Sequence, residues 1–168
     1  MEKYAKKFGF RSILAPALQE DIDKVESEWG VRLPSEYTDF LREWNGGVFC
    51  DERDPIFDTG ENYRELVLLY GVGPYPAEGV HLLSQSSQEG YGFRERVPDR
   101  FLAIGHGQPF EKICMSIKGE DKGKIFFWYP GGEIRETDVP TMEFLSLIGD
   151  DFFDFWNKLI KGGTYECE

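Results

Sequence analysis

The sequence predicts a single-domain α+β fold spanning residues 1–168. Three observations predict it. Two amphipathic helical segments lead the chain, a strand-rich middle with one clear hairpin follows, and a helical segment closes it. The length of 168 residues suits one domain. A chain of that size buries roughly 70% of its unfolded surface and needs no staples. Aromatic residues make up 15% of the chain, enough for a core rich in rings, and a wholly disordered chain is excluded.

The elements follow in order. From Gln19 to Trp29, Ile22, Val25 and Trp29 recur at i, i+3, i+7 among charged residues, which predicts an amphipathic helix ended by Gly30. Leu33-Pro34-Ser35 opens a second helix, with Pro34 suited to its first turn. Tyr37, Phe40, Leu41 and Trp44 form its apolar stripe, and Asn45-Gly46-Gly47 stops it. Asp51 to Glu61 is acidic and turn-rich and reads as a loop. Leu66–Tyr70 and Phe101–Ile104 read as strands, with a shorter strand expected at Val80–Leu83. Gly71 to Gly79 is too rich in Gly and Pro for regular structure, and Ser84 to Gly92 reads as a loop.

Ile113, Met115 and Ile117 alternate with Cys114 and Ser116, as in a half-buried strand. A polar turn at 119–123 and the run Lys124–Tyr129 complete a hairpin. Beyond it, Phe144 and Ile148 are expected to share a helix face. Gly149 interrupts it, Asp150 caps a restart, and Phe152, Phe155 and Leu159 continue the stripe.

Charge narrows the functional classes. Thirty-one acids face nineteen bases, a net −12. Phosphate contacts need clustered Lys and Arg, so direct nucleic-acid binding is not expected, nor is an anionic membrane surface. The longest apolar runs are five residues, whereas a membrane span needs about 20. The acids concentrate in residues 12–60, net −8, and 133–168, net −6. Two readings stay open: a plainly solvated surface, or a face for a basic partner. Cys50, Cys114 and Cys167 have no CxxC spacing, so neither a disulfide framework nor a zinc site is expected, and a reducing cytoplasm fits best. The basic N-terminus only imitates a secretion signal, because its apolar stretch is short and contains Pro16.

Motifs of chemistry fail one by one. Gly71-Val72-Gly73 lacks the third glycine of a dinucleotide fingerprint, since Pro76 stands there. There is no phosphate loop and no Gly-x-Ser-x-Gly elbow. His81 and His106 are the two histidines, and His106 reads as a solvated turn residue. Cys114 reads as packed rather than nucleophilic. No catalytic residue, metal ligand or cofactor is expected. Paired carboxylates among Asp51, Glu52, Asp54 and Asp58 keep a small hydrolase as a third class.

Two blocks carry a resemblance. The run Leu33-Pro34-x-x-Tyr37-x-x-Phe40-Leu41-x-x-x-Asn45-Gly46-Gly47, after a helix bearing Glu26, resembles the signature of the SUKH superfamily. The hairpin from Ile113 through Gly123 to Trp128 is similar to that family's strand, turn and Gly-x-φ-φ-φ-Trp, and Phe152-x-x-Phe155-Trp156 resembles its closing helix. The resemblance covers about residues 20–160. It implies a central, largely antiparallel sheet with helices packed against it, and a binding scaffold rather than an enzyme. The superfamily includes fungal regulators of cell-wall glucan synthesis and many bacterial immunity proteins. The compact chain favours the latter, with a basic toxin, such as a nuclease, as protein partner. The regulatory role is the alternative. The expected contact set is the acidic loop Asp51, Glu52, Asp54, Asp58 and Glu61, with Tyr63, Tyr75, Tyr91 and Phe93 as aromatic anchors.

Overall fold

The computed structural model describes residues 3–12, 14–50, 54–73, 92–131 and 138–162. Helices α1 (Gln19–Trp29) and α2 (Ser35–Glu43) form where the stripes predict them. Asp21 accepts the Leu18 N–H at 3.1 Å and starts α1, and Gly30 ends it in the left-handed conformation. The Glu26 carboxylate accepts the Leu33 N–H at 2.8 Å, so α1 fixes the entry into α2. Pro34 sits at the cap position itself, and Tyr37, Thr38, Phe40 and Leu41 turn inward.

Six strands form one antiparallel sheet, ordered β1-β4-β5-β6-β7-β8. They are β1 (Gly47–Val48), β4 (Leu68–Leu69), β5 (Phe101–His106), β6 (Lys112–Ser116), β7 (Ile125–Trp128) and β8 (Leu145–Gly149). β2 (Ile56–Asp58) and β3 (Tyr63–Glu65) make a separate two-stranded ribbon. A short helix α3 (Phe93–Arg96) precedes β5, and α4 (Phe152–Lys158) closes the fold. This is the expected α+β architecture, a central antiparallel sheet with helices packed against it, to which the two-stranded ribbon is added.

Four expectations are corrected. The acidic 51–61 segment is not all loop, because its second half enters the β2–β3 ribbon. Residues 145–149 form an edge strand rather than a helix; pairing with β7 satisfies their backbone, from Trp128↔Leu145 to Ile125↔Gly149. The cap of α4 is accordingly Asp151, whose carboxylate accepts the Asp154 N–H at 2.7 Å, and not Asp150. β6 is buried along its whole length rather than on alternate residues. The Val80–Leu83 strand lies outside the described residues.

The core has two layers about the sheet. On one side Phe40 meets Tyr4, Phe10, Phe152 and Trp156, with ring centroids 4.6–6.0 Å apart. Phe57 of the ribbon reaches both Phe127 and Phe155 on that side. Successive strand residues face opposite ways, so Phe126 and Trp128 serve the other layer. There Trp128 packs edge-on against Phe93 at 5.2 Å, and Phe126 against Phe101 at 5.1 Å.

The β6–β7 turn is stapled by Asp121. Its carboxylate accepts Ser116 Oγ at 2.6 Å and Arg100 Nε and Nη2, both at 3.1 Å. Burial alone would raise this carboxyl. The bonds from Arg100 and Ser116, with the Arg100 charge, reverse that and hold it below the ordinary value of 3.8. A lowered folded-state pKa stabilises above the unfolded value and loses that stabilisation as pH falls through the folded one. Asp121→Asn should therefore cost about 1–2 kcal/mol at pH 7. The gap to the wild type should narrow in thermal melts taken below the unfolded-state value.

Candidate functional site

The β2–β3 ribbon is positioned by its own turn and by its inner face. Asp58 Oδ1 accepts the Gly60 N–H at 2.7 Å, and Thr59 and Asn62 bond each other across the turn. Phe57 and Arg64 are cross-strand partners, and both turn toward the sheet. Asp58 and Tyr63 are partners on the exposed face, where Tyr63 is 44% exposed. The bridge between Ile56 and Ile160 ties the ribbon to the end of α4.

A groove of about 190 Å³ runs between the ribbon's turn and the β7–β8 end of the sheet. Thr59, Glu61 and Asn62 form one wall, and Glu143, Phe144 and Ser146 the other. Phe127, 4% exposed, is its deepest member, and Tyr129, 45% exposed, stands at its mouth. Arg64 lies across the inner end, 5.8 Å from the Phe127 ring and 5.3 Å from that of Tyr129. Its guanidinium donates to Glu111 at 3.1 Å and to Asn62 Oδ1 at 3.1 Å. Burial raises the Glu111 carboxyl, and the Gln108 N–H and Arg64 pull against it. Among the described residues, Glu61 and Glu143 have no ion-pair partner.

The predicted contact residues do not all meet. Asp58, Glu61 and Tyr63 share the exposed ribbon. Asp54 is half-buried just before it, its carboxyl raised by burial and by Glu65. Phe93 is corrected: it is fully buried as the first residue of α3, packed on Trp128, and belongs to the core. Asp51, Glu52, Tyr75 and Tyr91 lie outside the described residues. Sequence reasoning missed Arg64, Tyr129, Glu143 and Ser146. Only the sheet pairing brings 143–146 beside the ribbon, and no local pattern signals that.

The signature residues take structural places. Leu33, Tyr37, Phe40, Leu41 and Trp128 are buried. Asn45 is buried and left-handed, with φ 52°. A side chain on Gly46 would lie 2.6 Å from the backbone of Tyr70 and Gly71, so only glycine lets these segments touch. Gly123 turns the chain beside Pro34 with φ 91°.

His106 is corrected as well. It ends β5, half-buried, with Nδ1 3.4 Å from the Tyr70 hydroxyl. Lys112 Nζ donates to that hydroxyl at 3.2 Å, and burial lowers this lysine's pKa while it raises that of Tyr70. Burial likewise pushes the Cys114 thiol up, against the pull of Arg94 and Lys112, which disfavours the thiolate a nucleophile requires. Among the described residues no group of three metal-ligating side chains assembles, and no helix is long and apolar enough to cross a membrane.

The SPbeta prophage-derived uncharacterized protein YokK of Bacillus subtilis (strain 168) is similar to this chain. The two are 26% identical over 179 residues, which covers 95% of this chain and 84% of that protein. The SMI1 / KNR4 family (SUKH-1) matches residues 16–158, nearly the whole length, and the chain belongs to that family.

Proposed function

We propose that this protein is a non-catalytic binding domain of the immunity type, which captures a basic toxin in the cytoplasm and occludes its active site. The observation that carries the reading is the exposed β2–β3 ribbon. It presents Asp58, Glu61 and Tyr63 beside a groove that adds Glu143, without an ion-pair partner among the described residues, and the half-exposed Tyr129 ring. A nuclease site is basic because it holds phosphates, so an acidic, aromatic surface steers onto it and seals it. About 1,600 Å² of contact suffices for such a complex. A similar bacterial protein is prophage-derived, which accords with the immunity reading.

The test is capture of partners by the tagged full-length chain from its native cells at low and moderate salt, with identification by mass spectrometry. A basic protein with a toxin-like domain, released progressively by salt, is the expected result. Co-expression should then relieve that protein's toxicity. Recovery of wall-synthesis proteins instead would replace the immunity reading with the regulatory one.

A further inference from the structure

We propose that the groove between the 59–62 turn and the β7–β8 end of the sheet receives one arginine side chain of a protein partner. The proposal rests on the binding reading above and names the contact chemistry of its site.

Charge comes first. The groove's own cation, Arg64, is matched by Glu111, whose side chain is 3% exposed, and is held in place by Asn62. Its guanidinium is further immobilised over Phe127 and Tyr129. Among the described residues, Glu61 and Glu143 then remain as two carboxylates without an ion-pair partner on opposite walls, in a chain of net charge −12. The complementary occupant is a cation.

Size comes second. Small-molecule and cofactor pockets run about 300–1,000 Å³, and this groove holds about 190 Å³. That is room for one long side chain rather than for a nucleotide or cofactor.

Shape decides between the two cationic side chains. A guanidinium is a flat fork with five N–H donors, able to bond acceptors on both walls at once. Lysine offers a compact ammonium that is more strongly hydrated. The exposed ring of Tyr129 at the mouth covers the apolar stem of either, but stacks only on the planar group. Two carboxylates from separate walls with an aromatic mouth therefore select arginine.

The probe is acetyl-Gly-Arg-Gly-amide, titrated at low salt into the ¹⁵N-labelled full chain and followed by NMR. The expected result is saturating shifts clustered at Glu61, Asn62, Tyr129, Glu143 and Ser146. Binding should weaken by about fivefold or more in the Glu61→Gln/Glu143→Gln variant. Both side chains are exposed, so its spectrum and melting temperature should match the wild type. The citrulline peptide should give no clustered shifts, and the lysine peptide should bind more weakly. The proposal is overturned if the arginine shifts are absent or scattered, if citrulline or lysine binds as well, or if the double variant binds unchanged. If the peptide fails while the captured partner still binds, the pocket falls and the binding reading stands. If the peptide titrates as described and no partner is captured, the pocket stands and that reading falls.

Discussion

Replacing Asn45 by alanine is expected to cost about 3 kcal/mol or more, a large part of the 5–15 kcal/mol that usually holds a domain together. Asn45 Nδ2 donates to the carbonyls of Ala15 and Val72, each at 2.7 Å, and its Oδ1 accepts the Val72 N–H at 2.8 Å. One amide thus joins the entry to α1, the end of α2 and the chain leaving β4. Truncation orphans the buried N–H and carbonyl of Val72, each costing about 1–3 kcal/mol when no water reaches it, and leaves the carbonyl of the exposed Ala15 to solvent. Asn45→Asp should fare no better, because a carboxylate would accept the one N–H but face two carbonyl oxygens. Asn45→Gly keeps the left-handed backbone and loses the bonds, so it separates the two contributions. Thermal melts should show Asn45→Ala lower by about 6–12 °C. A loss under about 1 kcal/mol would mean that the amide is not the joint described.

Phe40→Ala is the second large effect, expected at about 3–5 kcal/mol. Phe40 is fully buried and touches rings from the N-terminal segment, from α2 itself and from α4. Those rings belong to separate elements that pack rigidly, so the cavity cannot collapse and the full transfer and cavity costs apply. Phe153, 37% exposed on α4, touches only the rim of the same cluster through Tyr4. Phe153→Ala should lose less than half as much in urea unfolding. Equal losses would show that the cluster is not organised around Phe40.

Much of this fold was legible because burial is periodic there. The stripes of α1 and α2, the stop at Asn45-Gly46-Gly47 and the β6–β7 hairpin all follow from spacing and turn chemistry. β8 was not legible. Phe144 and Ile148 lie four apart and satisfy a helical period, and an edge strand half-covered on one face shows no clean alternation. The β2–β3 ribbon was hidden for a different reason. Its strands are three residues each, inside acidic, turn-rich sequence, and they are held by Phe57 packing on the sheet rather than by propensity.

The site divides the same way. Asp58, Glu61 and Tyr63 stood out by charge and local composition, and the ribbon does present them. Phe93 looked like a loop aromatic because nothing local announces the short α3 that turns it onto Trp128. Glu143 and Tyr129 enter the groove through strand pairing at long range, which one sequence does not display.

The most direct test of the ribbon and its groove as the contact surface is a calorimetric titration of the captured partner with the wild type and with Glu61→Lys/Glu143→Lys. Both residues are exposed, so the melting temperature should stay within a few degrees. The account predicts affinity at least about tenfold weaker and a shallower salt dependence. Unchanged affinity in a folded double variant would contradict it and move the contact surface elsewhere on the domain.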